Sequence, residues 1–130
     1  MTQTRPTAVA APASTLRVVQ AGAALSVLLL LWQFATAGRL VALGEALGGH
    51  QSGAIGLHVA TGILLIGTVL HGRASRTWWP AAGAAATFLL TFLQAYLGSS
   101  GDVDLHVPLA MLLTVGVVWL AAWAFRPAAR

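Results

Sequence analysis

The sequence has no cysteine and no lysine, and only three of its 130 residues, Glu45, Asp102 and Asp104, are acidic. Without cysteine there is no disulfide framework, no thiolate metal site and no thiol nucleophile. All three acids fall between apolar runs, so no carboxylate stands ready inside a membrane span to relay protons, as a small proton-coupled exporter would need. Charge of either sign is scarce: 8% of residues, where an ordinary soluble domain carries roughly a quarter. The seven positive charges are all arginines spread singly along the chain, which excludes the basic stripe a nucleic acid would require. Nor does a nucleophile stand beside a base, because Ser99-Ser100-Gly101-Asp102 reads as an ordinary loop. Independent catalytic activity is not expected.

What is abundant is hydrocarbon, at 58% of residues. Four apolar runs, about 16–37, 54–70, 78–97 and 105–125, each come near the roughly 17 to 25 residues that cross a bilayer. Residues 1–15 mix Thr, Pro and Ala around a single charge and read as a disordered cytoplasmic tail, leaving 16–126 as one transmembrane domain. Ala35-Thr36-Ala37 has the form of a signal-peptide cleavage site, but the run before it is longer than the roughly 7 to 15 residues of a signal core. Arg5, Arg17, Arg73, Arg76, Arg126 and Arg130 all fall on one side of the predicted spans, and Arg39 alone falls on the other. By the positive-inside rule both termini are cytoplasmic, with Trp78, Trp79 and Trp123 at the inner interface. A composition rich in Ala, Gly and Arg points to a bacterial source and so to the bacterial cytoplasmic membrane.

Short connections between the later runs make sequence neighbours antiparallel, which predicts an all-α, up-down four-helix bundle. A duplicated two-helix hairpin underlies it. Leu57-His58-Val59 and Leu105-His106-Val107 each open a run, followed four positions after the histidine by a small residue, Gly62 or Ala110, and then by a Leu-Leu pair. Each preceding helix carries a glutamine near its outer end, Gln33 or Gln94. The separations, 25 residues from Gln33 to His58 and 12 from Gln94 to His106, differ by 13, read as an insertion in loop 38–53 that carries Glu45 and His50.

A hairpin duplicated in the same sense sets His58 and His106 across the bundle, with Gln33 and Gln94 at a similar depth. Two neutral imidazoles from facing helices are what a six-coordinate b-type haem needs. Gly62 and Ala110 leave room for the porphyrin face, and Arg39 stands near the outer mouth for a propionate. His50 competes with His58 as the first ligand, or joins Glu45, Asp102 and Asp104 in a surface zinc or copper site. In the plainer alternative, His58 and His106 cap helix starts and bond to Gln33 and Gln94 with no cofactor between them. His71 reads as an interfacial group beside Arg73.

Gln94-Ala95-Tyr96-Leu97-Gly98 followed by His106, with Thr36-Ala37-Gly38-Arg39-Leu40 after the first run, resembles one four-helix half of haem A synthase. The resemblance covers most of 16–125 and implies haem-ligating histidines on the second and fourth helices, at His58 and His106. The chain lacks that family's loop cysteines and the Glu three residues before a His-Arg pair, so haem A synthesis is not implied. It looks more like the small four-helix bacterial membrane proteins that share the half-bundle. The expectation is a protein that binds one haem b for electron transfer, haem handling or sensing, partnered by a redox protein or a second copy of the chain. The alternative is a cofactor-free structural or assembly subunit of a larger membrane complex.

Overall fold

The computed structural model describes residues 13–44 and 48–127. They form four helices, α1 (Ala13–Leu43), α2 (Gly48–Ser75), α3 (Trp79–Ser100) and α4 (Val103–Ala124). Each is long and apolar enough to cross a membrane. The helices make a closed ring in chain order: α1 packs on α2 and α4, α3 packs on α2 and α4, and the backbones of the diagonal partners do not come close. Pairing is antiparallel, as Gln20 Nε2 donating to the Ala124 carbonyl at 3.0 Å shows for the start of α1 and the end of α4.

Residue spacing explains the ring. Val19, Ala23, Ser26 and Leu30 are buried on α1, and Gly53, Leu57, Ala60, Leu64 and Gly67 on α2. On α3 the buried positions are Pro80, Ala84, Thr87, Thr91 and Gln94, and on α4 Leu113, Val117, Leu120 and Ala124. Alternating steps of three and four residues keep one seam turned inward, as in left-handed bundles. The outward faces carry Leu28, Leu31, Ile66, Leu89, Val115 and Trp119, each about 60% exposed or more. So much exposed apolar surface fits a multi-pass membrane protein.

Small residues set the closest approach. A Cβ on Gly22 would lie 2.6 Å from the Leu64 amide nitrogen, and one on Gly67 would lie 2.9 Å from that of Val19, so α1 and α2 cross backbone against backbone. In lipid, where burial does not drive helices together, such contact is a main source of association. The hydroxyls inside the bundle turn back on their own helices: Ser26 to Gly22, Thr61 to Leu57, Thr87 to Gly83 and Thr91 to Phe88.

The first hairpin is longer than the sequence suggests. α1 runs to Leu43 rather than 37 and α2 starts at Gly48 rather than 54, so most of the expected loop 38–53 is helical and His50 lies in a helix. Gly48-Gly49 and Gly53 look like loop punctuation, but they belong to the first turns of α2, held by α1. Trp32 Nε1 donates to the Gly49 carbonyl at 3.0 Å and Gln33 Nε2 to that of His50 at 2.9 Å. Gly53 is needed there, because a Cβ on it would lie 2.6 Å from Gln33 Nε2. The second connection is tighter: α3 ends on left-handed Gly101 (φ 78°), and the Asp102 amide returns to the Leu97 carbonyl at 3.0 Å. Most of the expected tail, 1–12, lies outside the described residues, and α1 has already begun at Ala13.

Candidate histidine site at the hairpin end

His50 and His106 meet at the end of the bundle where α1 and α3 finish. Their ring centroids are 6.4 Å apart with planes at 63°. One imidazole comes from α2 and the other from α4, diagonal helices whose backbones do not approach each other and which meet only through side chains.

Each histidine is held twice by the preceding helix. Gln94 Nε2 donates to the His106 carbonyl at 3.0 Å, and His106 Nδ1 bonds to the Gln94 carbonyl at 3.0 Å. A carbonyl only accepts, so Nδ1 of His106 carries the proton and Nε2 keeps its lone pair. On the other hairpin Gln33 Nε2 donates to the His50 carbonyl, and Thr36 Oγ1 lies 3.2 Å from His50 Nδ1. The Thr36 proton is directed at the Trp32 carbonyl, 2.8 Å away, which leaves its oxygen to accept from His50 Nδ1–H. Both rings therefore present an unprotonated Nε2. An Nδ1–H fixed by a neighbouring oxygen is the usual support of a metal-bound histidine.

The donor set suits one kind of metal group. With 6.4 Å between their centroids, the two imidazoles are near enough that both would hold one metal group placed between them. Among the described residues no three His, Asp or Glu side chains converge, so a bare zinc ion, which takes four ligands, would lack protein donors. A haem brings its own four nitrogens and asks for two. Beside the pair, Gln94 Oε1 is buried without a partner.

The other expected site residues fall elsewhere. His58 is not part of the pair: its Nδ1 bonds to the Ala54 carbonyl at 2.7 Å and its ring meets Phe92 edge-on at 4.4 Å. Gly62 faces Phe88 of α3. Ala110 lies one turn after His106, half-buried, and Arg39 is exposed near the end of α1. His50, Asp102 and Asp104 assemble no three-residue metal cluster, and Glu45 lies outside the described residues. At the opposite end, His71 packs edge-on against Trp123 with centroids 5.4 Å apart. Trp123 is 7% exposed, a core residue rather than part of an interfacial belt, while Trp78 and Trp79 are exposed as a belt requires. Thr36 escaped the sequence reading. Its signal was its place one turn beyond Gln33 on the same face of α1.

No protein family, curated protein or solved structure matches the chain.

Proposed function

We propose that the chain spans a bacterial cytoplasmic membrane with both termini inside and holds one b-type haem at its outer end through His50 Nε2 and His106 Nε2. The observation that carries this is the 6.4 Å separation of two imidazoles from non-adjacent helices, each oriented by a hydrogen bond at Nδ1. Arg17, Arg73, Arg76 and Arg126 gather at the opposite end, which supports the orientation. His50 replaces His58 as the first ligand, because it is His50 that shares with His106 a glutamine amide on its carbonyl. When bound, a bis-imidazole haem supplies a one-electron redox centre, suited to electron transfer, haem handling or sensing. Gln33 and Gln94 fix the backbone beneath each ligand, and Thr36 and the Gln94 carbonyl fix each ring. Chain purified after haem-replete expression should give a pyridine haemochrome spectrum of haem b at one haem per chain. His50→Ala and His106→Ala should each lose the low-spin signature, whereas His58→Ala should keep it.

A second reading, a cofactor-free structural or assembly subunit, is favoured by the hydroxyls of the bundle interior, which bond to their own helices and need no ligand. Absence of a Soret band under those conditions decides for it.

A further inference from the structure

His58 is left out of the histidine pair, and its surroundings are not those of a packing residue. The midpoint of α2 (Gly48–Ser75) falls between Thr61 and Gly62. At ~1.5 Å per residue the His58 imidazole is about 5 Å from the middle of a membrane-crossing helix, where its short side chain does not reach water. Its Nδ1 is bonded to the Ala54 carbonyl, so Nδ1 holds the proton and Nε2 is a bare acceptor. No described residue bonds to Nε2, and unlike Nδ1 of His71 that atom is not sealed inside the protein.

At the seam between α2 and α3 the His58 ring lies against aromatic carbon. Phe92 meets the His58 ring at 85°, and Phe88 meets Phe92 at 87° with centroids 5.0 Å apart. One turn along α2, Gly62 lies close beside Phe88, so that a Cβ there would come into ordinary contact, 3.5 Å, with the phenyl edge. The seam opens sideways, past Val59, Leu89 and Phe92, which are 60%, 66% and 50% exposed.

We infer that this seam binds a lipid-borne hydroquinone, one hydroxyl donating to His58 Nε2 and the ring packing against Phe88 and Phe92. The occupant must bring a donor, because Nε2 only accepts. It must arrive through hydrocarbon, because the seam opens there. It must be apolar apart from that donor, and an aromatic ring suits it, because the side chains beside His58 are phenyl rings. An oxidised quinone has only acceptors and meets the second and third conditions without the first. This inference goes beyond the haem reading and does not depend on it.

The test uses the full chain in detergent and a decyl-tailed benzohydroquinone kept reduced with dithionite, compared with its oxidised form by equilibrium dialysis. The reduced form should bind at least tenfold more tightly. His58→Phe should remove that preference, His58→Gln, whose amide oxygen still accepts, should retain part of it, and Gly62→Leu should weaken both forms. Equal affinity for the two redox forms, or an unchanged preference in His58→Phe, overturns the proposal; if His58→Phe does not fold by circular dichroism, the preference measured in His58→Gln and the loss in Gly62→Leu decide. Haem is assayed in the same samples. A haem-free chain that still prefers the hydroquinone keeps this inference and sinks the haem reading, and a haem-loaded chain with no preference does the reverse.

Discussion

Gln94 and His106 are joined twice, each side chain donating to the other's backbone carbonyl, both at 3.0 Å. The two bonds lock the end of α3 to the start of α4 and hold the imidazole in one tautomer.

Gln94→Leu should therefore cost stability at a level set by an unmade buried bond, about 1 to 3 kcal/mol. Gln33→Leu should cost less, because Gln33 is only half-buried while Gln94 is buried. Reversible unfolding in mixed micelles reads both, and a larger loss for Gln33→Leu would contradict the ranking.

Thr36→Val keeps the shape of the side chain and removes the oxygen that accepts from His50 Nδ1–H. Loss of such a support costs ~10- to 100-fold in metal-group affinity. Haem titration of the apo-protein should show a drop of that size, while the fold by circular dichroism stays the same.

Gly22→Val should be among the most damaging single changes in the chain, because its Cβ would press on the Leu64 backbone at 2.6 Å, where neither helix can yield. A penalty above ~2 kcal/mol is expected, as for overpacked interiors. Gly38→Ala is the control, since a Cβ there meets nothing within 4 Å. Expression level and thermal midpoint should separate the two variants plainly.

His71→Leu should leave stability unchanged or raise it by about 1 kcal/mol, because Nδ1 of His71 is sealed without a partner and leucine has no polar atom to satisfy. The haem spectrum should be unaffected. A marked loss of stability would show that the imidazole makes a bond the geometry does not contain.

The four long apolar helices, their antiparallel order and the Gln94–His106 copy of the repeat were legible in the sequence, because hydrophobic length and the scarcity of polar residues are local properties. The pairing of the hairpins was not. Leu57-His58-Val59 matches Leu105-His106-Val107 letter for letter, yet the glutamine bonds align His50 with His106. Measured from those bonds, the first hairpin is longer by five residues, 17 against 12, rather than by 13. Glycine misled the reading: Gly48, Gly49 and Gly53 mark a loop by propensity, but here they let Trp32 and Gln33 lie against the α2 backbone. Trp123 was misplaced for a similar reason. Its position near a helix end suggests an interface, whereas its contacts with His71 and Trp79 put it in the core.

The ring closure, in which the backbones of α2 and α4 stay apart, makes the histidine pair a reporter of assembly. Each hairpin carries one complete half: a glutamine, a histidine and the oxygen that orients the ring. Neither half has the second imidazole, so the pair comes into being only when α1 meets α4 and α2 meets α3. Two fragments separated at the 76–78 connection would each lack the pair, and if the proposed haem is bound, their docking would be announced by a two-histidine ligand field that neither fragment possesses alone.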